Sequence, residues 1–135
     1  MELGLPSNGL HTNGYSFARK LFFEIGGYDV NDTIPELESS VGLTLLEPHI
    51  NYTNHVFTAL DAGIDIKGIA HITGGGLSNL LRLHETLGWH IDDPLPVHPE
   101  FSWIADVGSV NSREMHRTFN MGMGMVVAVS HGVSD

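Results

Sequence analysis

Three stretches of the chain combine residue types that could do chemistry. In Ala70-His71-Ile72-Thr73-Gly74-Gly75-Gly76, an apolar, strand-like run ends in an imidazole, a hydroxyl and three consecutive glycines. At the C-terminal end of a strand in a layered α/β fold, a glycine loop leading into a helix is a preferred ligand position. Gly74, Gly75 and Gly76 would let a substrate approach the main chain, Thr73 offers a hydroxyl, and His71 can move a proton near neutral pH. A tight turn beside a satisfied core histidine fits the pattern equally well. In Gly9-Leu10-His11-Thr12-Asn13-Gly14-Tyr15, an imidazole (His11) and an amide (Asn13) precede an expected helix, whose N-terminus would attract phosphate or carboxylate. The simpler alternative is that Thr12 or Asn13 caps the helix. In Arg117-Thr118-Phe119-Asn120-Met121-Gly122-Met123-Gly124-Met125, Asn120 could position a polar ligand. The alternating glycines there suggest a bulge or a close packing contact, and the methionines read as core filling.

Other chemistries are excluded or disfavoured. Neither G-x-x-x-x-G-K-[ST] nor G-x-G-x-x-G occurs, so no Walker or Rossmann phosphate site is indicated. There is no cysteine, which removes disulfides, thiolate catalysis and Cys-based zinc sites. Nine histidines invite a metal, but no pair has H-x-x-x-H spacing and His49 and His55 lie six apart, so no metal site is expected. A net charge of −10 disfavours nucleic acid as a partner. No apolar run approaches the ~20 residues of a membrane span, and Met1-Glu2-Leu3-Gly4 lacks the basic start of a signal peptide. The expectation is a cytoplasmic protein with no membrane partner.

The 135 residues suit one domain, 1–135, able to bury a core without staples. Ala18, Leu21, Phe22 and Ile25 predict a helix from near Thr12 or Asn13 to Gly26-Gly27. Helical patterns follow over about 35–46 and 48–62, then a strand over Ile66 to Thr73 and a short helix over about 77–87. Trp89 to Ile91 reads as a strand, Pro94, Pro96 and Pro99 as a loop, and Glu100 to Val107 as a helix ended by Gly108. A further helix opens near Asn111 or Ser112, and Met123 to Val129 reads as a buried strand. Alternating strands and helices predict an α/β or α+β layer, with helices packed on a mixed sheet. No covering helix follows the last strand, so either it sits centrally and is covered already or its natural continuation is missing; if uncovered, it predicts self-association along its edge or a frayed C-terminus.

Taken in order, "GLPSNGLHTNGYSFARK" (Gly4 to Lys20), "LLEP" (Leu45 to Pro48), "IKGIAHITGGG" (Ile66 to Gly76) and "EMHRTFNMGMGMVVAV" (Glu114 to Val129) resemble the C-terminal domain of the aminoimidazole ribonucleotide synthetase (phosphoribosylformylglycinamidine cyclo-ligase) family. The resemblance spans almost the whole chain. It implies the α+β fold of that domain and a role in purine biosynthesis: ATP-dependent closure of the imidazole ring of formylglycinamidine ribonucleotide. It implies His11 and His71 as catalytic candidates, and Asn13, Thr73, Gly74, Gly75 and Gly76 as binding residues for a phosphoribosyl substrate, to which Asn120 is added from its own stretch. In the family an N-terminal domain carries the ATP and Mg²⁺ motifs and much of the dimer interface. By that comparison the chain starts just before the second domain and stops short of a last helix and strand. ATP and Mg²⁺ are then expected on a separate ATP-binding half, none on this chain alone, and the protein is expected to be a homo-oligomer. His49 stands where the family pattern has Thr after "LLEP", and Asn51 and Thr53 are polar where it is apolar. The alternative function is a non-catalytic phosphoribosyl-binding or regulatory module, or an inactive fragment, of the same superfamily.

Overall fold

The most apolar stretch of the chain, Met-Gly-Met-Val-Val-Ala-Val, is the spine of a sheet. The computed structural model describes residues 1–131 and contains three strands: β1 (Glu2–Pro6), β2 (Ile66–His71) and β3 (Met123–Val129). Their order is β1-β3-β2, and β3 pairs antiparallel with both neighbours. The α+β class holds, and among the described residues the sheet is antiparallel throughout rather than mixed. A strand paired at both edges and covered on both faces needs no polar alternation, so β3 reads as a continuous apolar run. Its central place selects the alternative in which the last strand is already covered, so the edge-wise self-association expected of an uncovered one has no edge on β3: the free edges belong to β1 and β2. Residues 132–135, on which the expected fraying falls, lie outside the described residues.

Sequence patterning misses β1 because Gly4 and Pro6 read as turn residues. An edge strand tolerates both, since Pro6 at its end owes the ladder no N–H. Helix α1 (Tyr15–Arg19) runs directly into a π-helix over Lys20–Ile25. There the backbone bond from Gly26 N–H reaches back five residues to Leu21 O. The wider turn rotates the stripe: Ala18, Leu21 and Phe22 are buried as expected, while Ile25 turns out to 58% exposure.

Helix α2 (Val41–Leu46) is only the last part of the pattern over 35–46. The Ser40 hydroxyl accepts from Leu43 N–H, and Ser40 bridges Thr33, so the preceding residues form turns. Helix α3 (Thr53–Asp61) faces one side of the sheet, with Val56 and Ala59 across a small cavity from Leu3, Leu5 and Val127. A 3₁₀ segment, Gly76–Arg82, follows the glycine loop in place of the helix expected to reach residue 87. Trp89 to Ile91 is not a strand; Trp89 packs over the other face with Leu80, on Ala70 and Val126, held there by burial rather than by strand pairing. Helices α4 (Pro99–Gly108) and α5 (Ser112–Thr118) match expectation closely, with Pro99 in the first turn of α4 and Asn111 capping α5 through Glu114 N–H. The main core sits among α1, α4 and α5, where Phe22 and Trp103 stack at 4.2 Å. It leaves the ends of β1 and β2 free to carry the candidate site.

Candidate functional site

The loop after β1 and the end of β2 meet, and between them stand three imidazoles. His11 stacks on His49 with ring centroids 4.1 Å apart, and His49 meets His71 at 4.9 Å, Nε2 to Nε2 at 2.9 Å. Tyr52 flanks the row, its ring 6.1 Å from His11 and 6.2 Å from His71, and its hydroxyl donates to Pro6 O at 2.6 Å. Burial pushes that phenol up to about 12. The row needs a bare spot on β3. A Cβ at Gly124 would lie 2.7 Å from Tyr52 Cζ and 3.1 Å from His11 Cε1.

His11 is enclosed at 1% exposure, at a left-handed φ of 49°, with Thr12 also left-handed at 61°. Two such residues in succession are strained by about 1 kcal/mol or more each. The His11 carbonyl holds the turn by accepting from Thr12 Oγ1 (2.6 Å) and Asn13 Nδ2 (2.8 Å). Asn8 fixes the ring. Its Nδ2 donates to Glu47 Oε1 and Pro48 O, which turns Oδ1 toward His11 Nε2. His11 Nε2 thus faces both that oxygen and the Asn8 backbone N–H, which donates to it at 3.3 Å, while Nδ1 is buried without a partner.

Burial, reinforced by repulsion from His49, His71 and His98, pulls His11 from 6.5 to about 4. The unfolded chain's imidazole takes a proton below about pH 6.5, whereas folded His11 resists until about pH 4. Stability from this group is therefore complete above pH 6.5 and declines as pH falls toward 4. Urea unfolding at pH 5 should show a loss on the order of 2 kcal/mol relative to pH 7, and His11→Gln should reduce that pH dependence. An unchanged pH dependence in the variant would contradict the assignment.

The glycine loop divides its work. Gly76 is buried, while Gly74 is exposed and faces Asn13 Oδ1, which would lie 3.7 Å from a Cβ there. Thus the two sequence-predicted loops lie side by side. Thr73 Oγ1 donates to Asn79 Oδ1 at 3.0 Å, and Asn79 Nδ2 donates to Gly74 O and Gly76 O, so one buried amide fixes the whole turn. The Gly76 N–H is taken by Thr73 O, whereas the N–H groups of Gly74 and Gly75 have no partner among the described residues. Successive free N–H groups of this kind suit an anion. Beside His49 and His71 opens a groove of about 560 Å³, also lined by Tyr52, Phe57, Ile69 and Met125.

Asn120 is not presented to this space. It is fully buried, accepts from Ser7 Oγ (2.8 Å) and Gly122 N–H (2.9 Å), and donates to Gly9 O (2.8 Å). Its amide ties the β1 exit to the β3 entry, so its expected ligand contact gives way to a positioning role for the His11 loop. Asn120→Ala should cost about 2 kcal/mol in thermal or urea unfolding by stranding those partners; a wild-type midpoint would contradict that role.

The matched family model is "AIR synthase related protein, C-terminal domain", over residues 3–133. The chain belongs to this family. Relatives named phosphoribosylformylglycinamidine cyclo-ligase include those of Methanopyrus kandleri (45% identical over 127 residues), Methanobrevibacter smithii (38% over 133) and Alkaliphilus oremlandii (44% over 131). The matches cover 94%, 98% and 95% of this chain but 36%, 39% and 38% of those proteins, so the chain spans less than two fifths of their length.

Within this AIR synthase related domain, the structure brings together His11, Asn13, His71, Thr73 and Gly74 to Gly76. Sequence reading missed Asn8, His49, Tyr52 and Asn79. The amides could have been sought as partners for the glycine-rich turns. Nothing local signals that His49 sits against His71, which is 22 residues on. Among the described residues, no set of three or more His, Asp or Glu side chains is placed to hold one metal ion. No helix among them is long and apolar enough to cross a membrane.

Proposed function

We propose that this domain forms the substrate-side wall of an ATP-dependent cyclo-ligase that closes formylglycinamidine ribonucleotide to aminoimidazole ribonucleotide in purine biosynthesis. The observation that carries this reading is the meeting of the His11–Asn13 loop with the His71–Gly76 loop beside an open groove, in a chain whose relatives bear the cyclo-ligase name. The free N–H groups of Gly74 and Gly75 receive the substrate's phosphate or amide oxygen. Thr73 Oγ1, whose hydrogen goes to Asn79, accepts from the substrate.

Ring closure requires the attacking nitrogen to lose a proton. His71 is exposed at the strand end and takes it. His11 is sealed behind His49 and shapes the loop instead. ATP supplies the phosphoryl group that makes the formyl oxygen a leaving group. ATP and Mg²⁺ are assigned to the part of the cyclo-ligase relatives that this chain does not match. The reading includes a cytoplasmic setting and assembly into a homo-oligomer.

The test is a ring-closure assay of the chain with formylglycinamidine ribonucleotide, ATP and Mg²⁺, alone and with the ATP-binding half of a relative. Turnover confined to the mixture is expected. No turnover with both halves folded would contradict the reading, and substrate binding in that case would indicate a non-catalytic ligand module.

A further inference from the structure

His49 lies outside the two loops that carry the substrate-site reading, yet it is the middle member of the imidazole row. One side of its ring is covered by His11, and its Nε2 meets His71 Nε2 at 2.9 Å. At that distance one nitrogen carries a hydrogen and the other a lone pair. The two rings therefore share one proton through their Nε2 atoms. The groups facing the pair are His11, the Tyr52 ring, and His55 beyond it at 5.9 Å from Tyr52. Glu47, two residues before His49, accepts from Asn8. Among the described residues no carboxylate pairs with either ring, so His49 is the one close partner for a proton on His71.

We propose that His49 and His71 form a single acid–base unit, in which His49 is a positioning residue that fixes the ring and the proton of His71. His49 is half-buried and His71 exposed, so His71 is the ring that a proton from the substrate reaches, and its Nε2 bonds that of His49. The second proton is resisted by the first and by the burial that lowers His49. In ring closure His71 accepts the proton released by the attacking nitrogen, and the bond to His49 stabilises the resulting imidazolium. This last step rests on the cyclo-ligase reading; the pairing itself does not.

The test is an NMR titration of imidazole nitrogens in the labelled chain from pH 4 to 9, on wild type, His49→Thr and His49→Gln. In wild type, His49 and His71 should report the same two transitions. In His49→Thr, His71 should show one transition, displaced from both. An unchanged His71 titration in a folded His49→Thr chain would overturn the proposal. So would a stoichiometric transition metal on the pair in purified protein, released by chelator with loss of the coupled transitions. In the reconstituted mixture, His49→Thr should lower kcat about tenfold with little change in KM and shift the acid limb of the pH profile, and His49→Gln should restore part of the rate. Coupled transitions without turnover would support the pair and count against the cyclo-ligase reading alone.

Discussion

Gly76→Ala is expected to cost the domain about 4 kcal/mol, a large part of the ~5–15 kcal/mol that holds a domain of this size folded. The residue has φ of 54°, which costs an alanine about 1 kcal/mol or more. The larger share is steric. A Cβ would meet the main-chain carbonyl of His116, and would lie 2.7 Å from Phe119 O. Both belong to the end of α5 and its exit, backbone that cannot rotate away as a side chain can. Gly74→Ala is the contrast: its Cβ would meet only Asn13 Oδ1, at 3.7 Å. Urea unfolding should separate the two variants by several kcal/mol; similar midpoints would show that the run is a flexible turn and not a packing contact. The triple glycine thus combines Gly76, fixed by packing, Gly75, held at a left-handed φ of 104° close to Asn79 and Ser78, and Gly74, which is open.

His71→Ala should reduce ring closure in the reconstituted mixture by about 10²- to 10⁴-fold while leaving the fold intact, the range for losing a positioned acid–base group. The imidazole is exposed, so its removal opens no core cavity. His11→Ala should behave differently. That ring is enclosed, stacked on His49 and bonded to Asn8, so the variant should lose stability and activity together. Circular dichroism melts beside initial rates would distinguish them. A stable, inactive His11→Ala with a fully active His71→Ala would reverse the proposed roles.

Much of the fold was legible where local signals and tertiary packing agree. Asn111 opens α5 at the expected place, α4 begins only one residue before the expected Glu100, and the apolar run of β3 announced a buried strand. It failed where long-range partners decided the outcome. β1 is a strand because β3 offers it an edge, despite Gly4 and Pro6. Trp89 to Ile91 has strand-forming residues, but the Trp89 ring is used to cover the sheet. Ile25 left the helical stripe because the backbone widened into a π turn. The site divides in the same way. His11 and His71 stood out beside glycines in single short stretches. His49, Tyr52, Asn8 and Asn79 reach the site only through folding, and Asn120 turned inward because Ser7, Gly9 and Gly122 surround its amide.

On the proposed function, the phosphoribosyl substrate is received where the two loops come together. The most direct measurement is to follow backbone amide and imidazole signals of the labelled chain, in the presence of an ATP-binding half, as formylglycinamidine ribonucleotide is added. The account predicts saturable shifts centred on the amides of Gly74 and Gly75 and the ring of His71, with smaller ones at Asn13 and His49. Shifts centred instead on the separate 260 Å³ cavity lined by Trp89, Leu95 and Val126, or no shifts at saturating substrate, would contradict it.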